Sequence, residues 1–322
     1  MKSLFATVCL CALAGACPAS PQASQLAHLG ARALQERADW NFTILDFPGA
    51  SDTTALGINN EGEIVGRYDA VGRRHGYIRT GDDFTTIDVP GAVSTTASGL
   101  NDHATVVGFY SSANGVRHVF QLRRGVFVTI DPPGALVAAP VAVNDPGTIV
   151  GSYVGMDQRT HGFVFRHGTL ATIDVPNAIQ TFANAVNDRG DVVGGWQSAG
   201  DLKFRGYVLR GGEFTVIDRP DVSLIIAIGV NDEGSVVGSW AGADGVWHGY
   251  LLRMGERRRH RPSPHRSRAD QFIPFDPPGF LSAPGEANAH EPHGINEDGQ
   301  IVGYFQGTDG RRHGYLVTAD RQ

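Results

Sequence analysis

Residues 57–92 read GINNEGEIVGRYDAVGRRHGYIRTGDDFTTIDVPGA, and six variants of that stretch fill the chain from Asn41 onward. The recurring asparagine falls at Asn59, Asn101, Asn144, Asn187, Asn231 and Asn296, so by subtraction the spacings are 42, 43, 43, 44 and 65 residues. Each copy holds four short runs rich in Ile, Val, Tyr, Phe and Thr, separated by Gly, Asn, Asp or Pro. In the first copy they cover 53–59, 63–68, 75–80 and 84–88, here called strands A to D. Runs of that length and composition are strands, and a repeat of about 40–50 residues built from four of them is a β-propeller blade. The fold class is therefore all-β, a six-bladed β-propeller of four-stranded blades.

The two ends of the repeat region complete one another. The run at 42–46 is a D strand with no A, B or C before it, and the run at 313–318 is a C strand with no D after it. Pairing the first with the last closes the ring and removes two open sheet edges. The A–B connection Asn59-Asn60-Glu61-Gly62 fits a type I turn ended by a left-handed glycine. Ala104 stands where that glycine is expected in the second copy, which predicts mild strain or a different turn there.

Radial blades put the A–B and C–D turns on one face, the bottom, and the B–C and D–A connections on the other, the top. Strand C then begins at the top with His, and strand D ends there with Asp. The pairs His75/Asp88, His118/Asp131 and His161/Asp174 are 13 residues apart, as is Arg205/Asp218. A histidine beside an aspartate suggests a catalytic dyad, but recurrence around a ring, and a copy in which Arg replaces His, favour a structural hydrogen bond at the blade rim.

Departures from the repeat are where individual chemistry would reside. His248 and Asp276 are 28 residues apart, because a basic, proline-containing insertion at 254–270 enters the C–D turn. One basic loop on a chain of net charge −6 gives no extended positive face, so nucleic acid is not a partner. The D–A loop before the last blade is longer than the others and leads into His290-Glu291-Pro292-His293. In an extended strand Glu291 and His293 share one side and His290 takes the other. These three are the candidate catalytic residues, although their spacing is not that of a zinc-protease helix. No metal site and no cofactor is expected, and the Asn-Asp-x-Gly turns lack the donor series of a calcium loop.

Strand B ends on an aromatic residue in every copy. Tyr68, Tyr110, Tyr153, Trp196 and Trp240, with Arg74, Arg117 and Arg159 in the loops that follow, form a candidate ligand-binding rim for sugar or peptide. The competing reading packs those rings between blades.

Lys2 followed by the apolar run 4–16 has the form of an export signal, taken as residues 1–23 and too short to span a bilayer. Ala14-Gly15-Ala16-Cys17 resembles a lipobox, in which Cys17 would be lipidated; ordinary secretion is the alternative. Residues 24–40 read as a tether or short helix, and 41–322 as the propeller. All three cysteines lie at 9, 11 and 17, so the propeller has no disulfide and no thiol chemistry. The expected location is the periplasm, the outer membrane as a lipoprotein, or the exterior.

The stretches at 84–92 (FTTIDVPGA), 57–59 and 294–296 (GIN), 63–66 (EIVG) and 75–77, 161–163, 248–250 and 313–315 (HGY or HGF) resemble the bacterial HAF-repeat family of extracellular repeats. The resemblance spans nearly all of the chain after Asn41. It implies export and a repetitive β-fold, and it brings no reaction and no catalytic residues. Taken together, these readings give an exported, monomeric, non-enzymatic binding or scaffold module, with an extracellular glycan, peptide or protein as partner and membrane contact only through a lipid anchor. The alternative is a polysaccharide lyase or hydrolase acting through Glu291 and His293.

Overall fold

A computed structural model describes residues 40–131, 135, 137–243, 245–254, 271–280 and 290–319. The export signal, Cys17, the tether up to residue 39 and the basic insertion from residue 255 lie outside the described residues.

Every described element is a strand. β1 (Trp40–Leu45) precedes the first blade, which is β2 (Asp52–Ile58), β3 (Ile64–Ala70), β4 (Arg73–Thr80) and β5 (Asp83–Ile87). Blade 2 is β6 (Ser94–Leu100), β7 (Val106–Ser111), β8 (Arg117–Arg123) and β9 (Val126–Thr129). Blade 3 is β10 (Val137–Val143), β11 (Ile149–Val154), β12 (Thr160–Arg166) and β13 (Thr169–Ile173). Blade 4 is β14 (Ala178–Val186), β15 (Val192–Ser198), β16 (Phe204–Arg210) and β17 (Glu213–Ile217). Blade 5 is β18 (Val222–Val230), β19 (Ser235–Gly242), β20 (Trp247–Arg253) and β21 (Gln271–Phe275). Blade 6 is β22 (His290–Ile295), β23 (Ile301–Gln306) and β24 (Arg312–Ala319), completed by β1.

Hydrogen bonding groups these strands into four sheets of four and one of eight. The eight-stranded sheet is two antiparallel arrays, β14–β17 and β18–β21, joined only at the parallel pair Phe204 and Leu224. Six four-stranded arrays result, as the period predicts. β1 pairs antiparallel with β24 from Trp40 opposite Ala319 to Leu45 opposite Gly314, which is the expected closure, begun two residues earlier.

The apolar core lies in the seams between blades. Val65 and Ile87 of blade 1 pack with Ala97, Leu100, Val106 and Phe120 of blade 2, and Leu45 and Val302 of the last blade pack with Ala55, Ile58, Ile64 and Tyr77 of the first. The glycine of the Ile-Val-Gly motif has a steric cause. A Cβ on Gly66 would stand 1.9 Å from the Thr54 carbonyl oxygen and 2.9 Å from the Tyr77 ring. Only glycine lets the strand C aromatic lie flat across strand B.

At the axis the repeated asparagine performs two tasks. Its Oδ1 accepts the backbone N–H four residues on, closing its own turn, as in Asn144 with Thr148 at 2.7 Å. Its Nδ2 donates to the backbone carbonyl of the next blade's asparagine: Asn101 to Asn144 and Asn144 to Asn187 at 2.9 Å, Asn187 to Asn231 at 3.0 Å, Asn231 to Asn296 and Asn296 to Asn59 at 3.1 Å. The Asn59 to Asn101 bond is longest, at 3.4 Å. A second ring runs just outside it. The N–H of Asp102, Asp145, Asp188 and Asp232 each donates to the side chain one blade on, and Glu297 returns to Asn60 Oδ1 at 2.9 Å. The ring of blades is thus stitched shut at one mouth of the axial channel, a cavity of about 110 Å³. Ala104 keeps the turn of its sisters at φ 53°, with its N–H 3.2 Å from the Asn101 carbonyl oxygen; the turn is retained and strained.

Candidate functional site

The opposite face gathers the ends of strand B, the starts of strand C and the D–A connections. Each expected rim pair is present. The imidazole Nδ1 of His75, His118, His161, His248 and His313 lies 2.8, 2.7, 2.9, 2.8 and 2.9 Å from Asp88, Asp131, Asp174, Asp276 and Asp46 respectively. Arg205 Nε holds Asp218 at 2.9 Å, so the replacement preserves the donor. Blades 3, 4 and 6 add a second carboxylate to the same group: Asp157 on His161, Asp201 on Arg205 and Asp309 on His313. Burial alone would lower the His161 pKa, but Asp174 and Asp157 together raise it, and Asp46 and Asp309 do the same for His313.

These latches also engage the rim aromatics. Tyr68, Tyr110, Tyr153 and Trp240 stack on His75, His118, His161 and His248 with ring centroids 5.0, 5.1, 5.3 and 4.6 Å apart, and Trp196 lies under Arg205 at 5.7 Å. The hydroxyls of Tyr68, Tyr110 and Tyr153 share hydrogen bonds with Thr86, Thr129 and Thr172. One face of each of these rings is therefore in use within its own blade. Arg159 is likewise structural: it donates to the backbone carbonyls of Ala178 and Ile179 in the next blade. Arg74 forms a two-pronged pair with Asp69 at 3.0 and 3.2 Å. Arg117 lies over the Phe109 ring at 4.6 Å.

The His290–His293 stretch forms two separate arrangements. His290 is fully buried; its Nδ1 is 3.3 Å from Asp276 and its Nε2 2.9 Å from the Tyr315 hydroxyl. Burial lowers its pKa despite the neighbouring Asp276, which fits a neutral ring donating to Asp276 and accepting from Tyr315. On the other side Glu291 Oε2 accepts from the Tyr304 hydroxyl at 2.7 Å and from His293 Nε2 at 3.1 Å. Glu291 is 5 % exposed. Its carboxylate is enclosed because Tyr304 and His293 cover it. Burial would raise its pKa, but His293, Tyr304 and Arg312 hold it below the usual range. A β-bulge between Pro292 and Gly294 turns His293 toward the channel, where it is one of the lining residues.

Arg67 is the residue that sequence reasoning missed. It occupies the strand B position held by Phe109, Ser152, Gly195, Ser239 and Tyr304 in the other blades, and it is 6 % exposed. Burial first, and then the Arg74 and Arg312 charges, lower its pKa to about 10. The available signal was a cation inside an otherwise uncharged Val-Gly-x-aromatic motif.

No family model matches the chain, and no curated protein matches it. Among solved structures it is similar to a mutant of Aleuria aurantia lectin in complex with Fucα1-6GlcNAc, at 11% identity over 84% of this chain and 95% of that one, with a TM-score of 0.50. The same lectin in complex with α-methyl-L-fucoside gives 12% identity, 84% and 96% coverage and a TM-score of 0.50. TolB from Acinetobacter baumannii gives 12% identity over 84% of this chain and 64% of that chain, again at 0.50. The likeness is one of fold.

Proposed function

We propose that the chain is an exported, non-enzymatic binding module of the HAF-repeat type, which takes an extracellular glycan or peptide on its top face. The observation that carries this reading is the state of the candidate acid and base. Glu291 is buried, anionic and held by two donors, so it has no proton to give and no open path to a substrate. The latch histidines repeat around the ring and are each committed to a carboxylate, as structural groups are. Support for a glycan comes from cations lying over aromatic rings at this face, including Arg219 over Trp240 at 5.2 Å and Arg312 over Tyr304 at 5.6 Å. The same fold in Aleuria aurantia lectin is seen holding a fucoside. The test is a glycan array on the processed protein, followed by a turnover assay on every hit. Binding without product formation is expected; product release from a bound saccharide would overturn the reading in favour of a lyase or hydrolase.

A further inference from the structure

Arg67 is where the repeat is broken by a buried charge, which Tyr304 and Asp69 offset only in part, since burial still lowers its pKa. No hydrogen bond or ion pair joins its guanidinium to a described residue, and no guanidinium nitrogen is among the fully enclosed polar atoms left without a partner. A buried cation left alone is strongly destabilising, and buried polar groups in native proteins are paired as a rule. The surroundings worsen the imbalance. Arg74 and Arg312 add like charge, while the opposing carboxylate of Asp69 is already gripped by both prongs of Arg74. Glu291, which also feels Arg312, is occupied by Tyr304 and His293. Three guanidinium groups thus act on one another where blades 6 and 1 meet, with Asp69 and Glu291 already engaged. The backbone N–H of Arg312 donates to Asp52 across that junction at 2.8 Å, fixing the two blades to one another. Tyr304 presents a ring beneath Arg312, on the same side as His293, which stacks on it at 5.5 Å.

We propose that Arg67, with Arg74 and Arg312, forms an oxyanion subsite at the junction of blades 6 and 1 that takes the carboxylate or sulfate of an acidic sugar. This rests on the binding-module reading above. A guanidinium presents a planar fork of donors that matches a carboxylate or sulfate in two-point contact, and the anion would supply the charge that Arg67 lacks. The subsite would therefore be selective for acidic saccharides and blind to neutral ones of the same shape.

The test compares the processed protein with Arg67→Met by thermal denaturation and calorimetric titration. The probes are a galacturonic acid oligomer, its methyl ester, a sulfated galactan oligomer and sodium sulfate. A ligand that binds only the native state raises the midpoint with the logarithm of one plus its concentration over Kd. The expected result has two parts. Without ligand, Arg67→Met melts higher than the parent, because it replaces a buried lone charge by an apolar chain of similar length. With ligand, at least one of the two acidic oligomers binds the parent at least tenfold more tightly than the variant, and the methyl ester separates neither. Preference for the galacturonic over the sulfated oligomer, or the reverse, identifies which oxyanion is read; sulfate alone raises the parent midpoint and leaves the variant unmoved. A neutral saccharide bound equally by both proteins, with no gain from acidic groups, would overturn the subsite and leave the module reading standing. A variant that melts lower or fails to fold would also overturn it, since Arg67 would then be paying a structural role. If no acidic oligomer binds and sulfate stabilises neither protein, the subsite is overturned, while the module reading stands or falls on the glycan array.

Discussion

At the residue scale, two positions show how the repeat tolerates exceptions. Ala104 takes the left-handed conformation that its sister glycines adopt, at φ 53°, which costs an L-residue about 1–2 kcal/mol. Part of that is offset by the greater freedom of glycine in the unfolded chain. Ala104→Gly should therefore stabilise the fold by about 0.5–1 kcal/mol, read as a shift in the urea midpoint at constant slope; a loss of stability would mean that the alanine methyl is packed. His161 gives a pH signature. Its folded pKa is raised above the ordinary value, chiefly because Asp174 and Asp157 outweigh the lowering by burial. A raised folded pKa stabilises fully below the unfolded pKa of about 6.5 and loses that contribution as pH rises through the folded value. The stability difference between the parent and His161→Gln should accordingly be larger at pH 6 than at pH 9. An equal difference at both would show that the imidazolium is not the stabilising form. Arg67 illustrates what a residue-level reading cannot reach. Strand alternation says which side of a strand a residue takes, not whether a partner waits there, and partnership is what makes this arginine unusual.

At the scale of elements, much of the blade is legible because each motif residue has a local cause. The 13-residue spacing of His and Asp spans one tight C–D hairpin, so the latch follows from hairpin register. The asparagine rings were not legible, since their bonds join residues 42–44 positions apart in four of six cases, and 65 and 237 apart in the other two, and arise only when blades meet. Their outer ring makes a further prediction. Asp188 accepts the Asp145 N–H at 2.8 Å, and burial, followed by the charges of Asp145, Asp232 and Asp102, raises its pKa. An acid with a raised folded pKa is destabilising when ionised and gains stability as pH falls through the folded value toward the unfolded one. Blade 1 already uses Asn60 in this place, accepting from Glu297. Asp188→Asn should keep the hydrogen bond, lose the repulsion and melt higher at pH 7 by about 0.5 kcal/mol, a small figure because the group is largely exposed. The gain should shrink at pH 4 and in high salt. A variant that melts lower at low salt would show that the charge itself strengthens the ring.

At the scale of the whole molecule, closure depends on a strand that arrives from the far end of the chain. β1 contributes Leu45, which is 2 % exposed, and the rings of Trp40 and Phe42 against Phe275 and Tyr315. Asp46 completes the last latch with His313, and Arg311 of β24's approach donates to the carbonyls of Ala50 and Ser51. Deleting Trp40–Leu45 should cost at least about 3 kcal/mol, the scale of uncovering two large apolar side chains, and should open an edge prone to association. A truncated protein with an unchanged denaturation midpoint, still monomeric by light scattering, would contradict closure. The orphan D strand was readable from counting alone, because a ring of identical blades leaves no other place for it. What lies on the ring's top face was less readable: aromatics that suggested a binding rim are partly consumed by the latches, and Glu291, the acid that suggested an enzyme, is enclosed, while His293 lines the axial channel.

The central claim, binding without catalysis, is tested most directly at Glu291 and His293. For a saccharide identified on the array, affinity and product formation should be measured together in the parent, Glu291→Gln and His293→Ala. The account predicts no product from any of the three, and affinities within about threefold of one another, less than the tenfold that 1.4 kcal/mol would give. Turnover by the parent that falls about 10²–10⁴-fold in either variant while the protein stays folded, the loss expected on removing a positioned acid or base, would contradict it.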